Sequence, residues 1–130
     1  MLARSVSVQK APLAKTHEAF VSRTATENTG FAMYNPSLTA TSQSQLRLLD
    51  KNGNQVAGPV SLSLLPRQQL PIFINNAALF QAYLDSVTGD FEGTVKLVVQ
   101  SGGPISVVSL IQTSSGALLA VPVDSEVTGP

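Results

Sequence analysis

Few side chains in this sequence are equipped for chemistry. His17 is the one histidine, and there is no cysteine. A nucleophilic triad would have to run through His17, with a serine as nucleophile and a carboxylate behind the imidazole. No Gly-x-Ser-x-Gly elbow is present, and Ser101 and Ser115 lie beside glycines in stretches that read as turns. His17 is therefore read as a surface histidine at a strand end. One imidazole without thiolates does not build a zinc site, so no metal and no other cofactor is expected.

Two carboxylates would suffice for glycoside hydrolysis. Asp85, Asp90 and Glu92 cluster in and after one loop, and Asp124 and Glu126 lie close together near the C-terminus. Sugar-processing sites also use aromatic platforms, and the chain has no Trp and 2 Tyr. These acids are read as solvated charges. Asp50-Lys51-Asn52-Gly53-Asn54 has the outline of a calcium loop, but it lacks the closing Glu and carries Lys51, so a hairpin turn is the better reading. Gly102-Gly103 is not a phosphate loop, because no helix and no Lys-Ser/Thr pair follow. Phe80 and Tyr83, near each other at helical spacing, read as core. The chain is not expected to be an enzyme.

The elements that would position these residues are strands. The hairpin around Asn52-Gly53 carries the strongest signal. Before it, Ser42, Ser44, Leu46 and Leu48 alternate with Gln43, Gln45 and Arg47; after it, Val56, Val60, Leu62 and Leu64 alternate with Pro59, Ser61 and Ser63. Period-two alternation marks half-buried strands, since successive side chains point to opposite faces. Asn-Gly predicts a type I′ turn, in which both central residues take positive φ. A one-residue slip would turn Leu46, Leu48, Val60 and Leu62 outward, so the hairpin also pins register. The outward row of Gln43, Gln45, Arg47, Ser61 and Ser63 becomes a candidate contact surface.

Elsewhere, Val6 and Val8 alternate with Ser5 and Ser7 in a strand-like N-terminal arm over 1–15. His17–Arg23 reads as a short strand and Thr26–Gly30 as a turn. Phe31–Tyr34 lacks polar alternation, which predicts cover on both faces. Leu70–Ile74 reads as a strand that Pro71 pushes to a sheet edge. Asn75 or Asn76 would cap a short helix through Leu84, whose Leu79, Phe80, Tyr83 and Leu84 form an apolar stripe. Phe91–Gln100, Ile105–Gln112 and Ala117–Val123 complete the strand set, and 124–130 is expected to be a polar, frayed tail.

The pattern predicts an all-β fold: an antiparallel β-sandwich of about seven or eight strands with one short helix near 75–84. The domain proper runs over 16–123. At 130 residues the chain suits a single domain. Only 12% of residues are charged, against 43% hydrophobic, and the net charge is zero at pH 7. No basic run exists to attract nucleic acid, and no apolar run suits membrane insertion. The start, Met1-Leu2-Ala3-Arg4-Ser5-Val6, lacks the apolar region of a signal peptide, as expected of an intracellular chain or a mature fragment.

The order of segments resembles a known kind of module. A strand ending near Arg23 leads into Thr29-Gly30-Phe31-Ala32-Met33-Tyr34-Asn35-Pro36, then the Asp50–Asn54 turn and a break at Leu65-Pro66-Arg67-Gln68-Gln69-Leu70. Phe91-Glu92-Gly93-Thr94-Val95, Pro104-Ile105-Ser106-Val107 and Leu119-Ala120-Val121-Pro122-Val123 follow. This is similar to immunoglobulin-like β-sandwich modules, often tandem, in large exported bacterial surface proteins. The resemblance implies a non-catalytic structural or adhesive role and an extracellular or cell-surface location. Copies of the same chain are the expected partner, through the sheet face or through the arm: Val6 and Val8 pair with the chain's own sheet, the preferred reading, or add as a strand to a neighbour. The second reading is a carbohydrate-binding or adhesion module that takes a glycan or another surface protein.

Overall fold

A computed structural model describes residues 12–126; Val6 and Val8 lie outside the described residues. The elements in chain order are β1 (Thr16–Arg23), β2 (Glu27–Tyr34), β3 (Ser42–Asp50), β4 (Gln55–Leu64), β5 (Gln69–Phe73), α1 (Gln81–Ser86), β6 (Phe91–Ser101), β7 (Ser106–Thr113), β8 (Leu118–Val121) and β9 (Asp124–Glu126). The fold is all-β and its named pairings are antiparallel. Strand order is β4-β3-β6-β1-β2-β7-β8, with β5 added to β2 and β9 to β1. β1 and β2 are joined by the Arg23↔Asn28 pair, whereas β1 pairs β6 along its whole length and β2 pairs β7 likewise. One buried cluster draws side chains from both ends of this path: Val21, Leu46, Leu48 and Leu97 on one side, Phe31, Met33, Ile72 and Val107 on the other.

Period two does most of the organising. β3 buries Ser42, Ser44, Leu46 and Leu48 and turns Gln43, Gln45 and Arg47 outward. β6 buries Phe91, Gly93, Val95, Leu97 and Val99 in the same rhythm. β2 buries residues on both faces, as its unbroken apolar run implies: Phe31 and Met33 join the main cluster, while Tyr34 packs with Val108 in a second one.

Five details differ from the sequence expectation, each for a physical reason. The Asp50–Gly53 turn is type I rather than type I′: Gly53 N–H donates to Asp50 O at 3.0 Å, and Gly53 takes φ +86 while Asn52 keeps negative φ. Asp50 Oδ1 selects this form by accepting from the N–H groups of Asn52 and Asn54. β4 does not run straight, because register shifts fall between Leu46 and Leu48 and again before Leu49. Gly58, at φ +91, makes the first possible, since a Cβ there would sit 2.6 Å from Leu46 O.

The helix is displaced, covering Gln81–Ser86 instead of 75–84, and its N-cap is Phe80 with no side-chain cap. Asn76 spends its carbonyl and side chain on a preceding turn: its O accepts from Leu79 N–H and its Oδ1 from Ala78 N–H. The β1–β2 turn is shorter than expected, with β2 already under way at Glu27. Thr24 Oγ1 closes it by accepting from the N–H groups of Thr26 and Glu27. Finally, the expected frayed tail contains a ninth strand, with Asp124, Ser125 and Glu126 pairing Glu18, His17 and Thr16.

Candidate functional site

The outward row expected from the hairpin is present and belongs to a larger surface. Gln43 and Ser63 face each other across β3 and β4, and Ser63 Oγ donates to Gln43 Oε1 at 2.7 Å. Gln45 pairs Ser61, and Arg47 Nη2 donates to Gln45 Oε1 at 3.3 Å. The ladder then carries this surface across three more strands. One row reads Ser61, Gln45, Val98, Thr16, Glu126 from β4 to β9. The next reads Arg47, Lys96, Glu18, Asp124. A third reads Gln55, Leu49, Thr94, Phe20.

The β3–β4 half of this face is legible in the sequence and the rest is not. Gln43, Ser61, Ser63, Glu18, Lys96, Asp124 and Glu126 are exposed, and Phe20 is 48% exposed. Thr16, Glu18, Lys96, Asp124 and Glu126 line a shallow depression of about 310 Å³. The alternation of Glu18 and Phe20 with Ala19 and Val21 is legible, and so is that of Lys96 with Val95 and Leu97. Their alignment is not, because β1, β6 and β9 come together from distant parts of the chain.

His17 corrects the sequence reading outright. It is not a surface residue: it is 2% exposed and points inward with Ala19 and Val21. Nε2 lies 3.0 Å from Ala14 O and 3.1 Å from Ile105 O, and Nδ1 lies 2.7 Å from Ser125 Oγ. Carbonyls only accept, so Nε2 carries the proton and Nδ1 accepts from the serine hydroxyl. The ring ties β1 to β9 and to the Ala14↔Ile105 bridge. Its inward parity in the His17, Ala19, Val21 series is the signal that could have placed it.

Burial lowers the His17 pKa below its ordinary 6.5, and the Ala14 and Ile105 carbonyls oppose this in part. Ser125 Oγ can turn to accept, so loss of solvation is what resists the charged ring. Below pH 6.5 the unfolded chain binds a proton that the folded chain refuses. The His17 contribution is therefore complete above 6.5 and lost as pH falls toward the folded-state pKa. Urea midpoints should drop between pH 7.5 and 5.5, with a slope of at most about 1.4 kcal/mol per pH unit. His17→Gln should flatten that dependence, and an equally steep profile in the variant would contradict the assignment.

The acids weighed as catalytic pairs are divided between surface grooves. Asp85 and Asp90 line one with Arg23, of about 360 Å³; Asp50, Asp90 and Glu92 line another with Lys51 and Tyr83, of about 410 Å³. Among the described residues, no group of three or more His, Asp or Glu is placed to hold a metal ion. Phe80 is buried in the main core, and Tyr83 packs edge-on against Phe91 at 5.8 Å between ring centroids. Among the described residues, no helix is long and apolar enough to cross a membrane. Compared with family models, curated proteins and solved structures, the chain has no significant match.

Proposed function

We propose that this chain is an immunoglobulin-like β-sandwich module, non-catalytic and extracellular, that works by associating with copies of itself. The observation that carries the reading is the outward face of β4-β3-β6-β1-β9, where Gln43, Gln45, Arg47, Ser61 and Ser63 continue into Lys96, Val98, Thr16, Glu18 and Phe20. Several polar groups on it are already held across or along strands, as in the Ser63–Gln43 and Arg47–Gln45 bonds. A pre-ordered face loses less side-chain entropy when it docks. The fold assignment is supported by the way consecutive strands separate: β1 pairs β6 and β2 pairs β7, as strands B and E, and C and F, do in immunoglobulin domains. Low charge and many Ser, Thr and Gln residues suit a neighbour of the same composition.

Sedimentation velocity over about 5–500 µM spans the affinities expected of a modest interface. The sedimentation coefficient should rise with concentration. A single monomeric species throughout would contradict self-association.

A further inference from the structure

The second row of the outward face has an ordered charge sequence. Across four neighbouring strands it runs Asp124, Glu18, Lys96, Arg47: two acids on β9 and β1, then two bases on β6 and β3. Asp124, Glu18 and Lys96 are exposed, and Arg47 is partly so. Reversed end for end, this row is its own electrostatic complement. We infer that the face binds a second copy of this chain in a two-fold dimer whose axis runs along the strands, between β1 and β6.

The geometry follows from symmetry. When two such faces meet, the two-fold axis must lie in the plane between them. An axis along the row would set Asp124 against the partner's Asp124 and Lys96 against the partner's Lys96, which is repulsive. An axis along the strands reverses the row, so Glu18 meets the partner's Lys96 and Asp124 meets the partner's Arg47. Symmetry makes each contact twice. In the next row Glu126 faces the partner's Gln45, and Thr16 faces the partner's Val98. Phe20, beside the axis in the last of these rows, comes within one strand spacing of the partner's Phe20 and adds an apolar contact at that end of the interface.

With the axis between β1 and β6, β4 has no counterpart, so four strands about 4.8 Å apart and four rows about 6.8 Å apart give roughly 500 Å² per copy. That lies at the lower end of specific interfaces, so a dimer in the micromolar range is expected. Rim ion pairs between exposed groups are screened by salt, and dissociation should increase from about 0.05 M to about 0.5 M NaCl.

This inference rests on self-association through the outward face, and charge reversal separates the two. Glu18→Lys and Lys96→Glu should each weaken the dimer by about tenfold or more in sedimentation equilibrium, because each turns two attractions into repulsions. The double variant E18K/K96E should recover most of the wild-type affinity. Circular dichroism confirms folding, and the milder Glu18→Gln and Lys96→Gln replace any reversal that fails to fold, each then expected to weaken the dimer. Association unchanged by the single variants, or a double variant no better than the singles, would overturn this pairing while leaving self-association standing. A wild-type chain that stays monomeric would overturn both.

Discussion

Gly93→Ala is expected to destabilise the fold by roughly 3 kcal/mol or more. Gly93 lies in β6 between Val21 of β1 and Asp50 of β3, with inward parity between Phe91 and Val95. A Cβ built there overlaps the Leu49 carbonyl oxygen and comes within 2.9 Å of Phe91 Cζ. The carbonyl belongs to the β3–β6 ladder and cannot swing away without opening it. A ring tip can yield, but a strand backbone paired on both sides yields little. Gly103→Ala is the matched control, since a Cβ there meets nothing within 4 Å and its φ is ordinary. It should change stability by no more than about 0.5 kcal/mol. Urea unfolding of the two variants checks both, and equal midpoints would contradict the Asp50↔Gly93 register.

Asn35→Ala should cost about 2–4 kcal/mol. Asn35 is fully buried just after β2. Its Nδ2 group donates to the carbonyls of Ala40, Leu64 and Leu65 at 2.9, 3.0 and 3.2 Å, and its Oδ1 accepts from Ser37 N–H at 3.1 Å. One side chain thus fastens the end of β2 to the approach to β3 and the end of β4. Alanine leaves the Leu64 carbonyl buried without this donor. Asn35→Asp should be at least as damaging, because a carboxylate would face three carbonyl oxygens and offer no donor. Thermal melts of the two variants test this, and an Asp variant as stable as wild type would contradict it.

Local signals and long-range ones were not equally legible. The hairpin could be read because alternation, turn residues and register all lie within about 25 residues. Even there, Asn52-Gly53 pointed to type I′, and Asp50 Oδ1 imposed type I instead by accepting from two N–H groups. Asn75 and Asn76 looked like helix caps, yet Phe80 N–H goes to Ile74 O and holds the chain in turns until Gln81. A capping residue marks where backbone donors need help, and a run of turns has the same need as a helix. Asn35 stands directly after the Phe31–Tyr34 run with nothing local to mark its role, since its carbonyl partners lie up to 30 residues away.

The outward face shows the limit most clearly. Gln43, Gln45, Arg47, Ser61 and Ser63 were visible because β3 and β4 are neighbours in sequence. Glu18, Lys96 and Asp124 join Arg47 in one row only through the β1–β6, β3–β6 and β1–β9 pairings. No local pattern encodes which distant strands meet. His17 and Ser125 fall under the same heading, since they are 108 residues apart and share one hydrogen bond.

Because the chain has no cysteine, a thiol label can read burial of the outward face directly. A single cysteine can be placed at Gln45, within the outward face, or at Ser115, on the β7–β8 turn away from it. Maleimide alkylation rates are then compared between about 5 and 500 µM total protein, the range over which a modest interface would form. Gln45→Cys should react more slowly at high concentration while Ser115→Cys reacts equally at both. Equal rates at both sites, or protection of Ser115→Cys alone, would contradict the assignment of that face to copies of this chain.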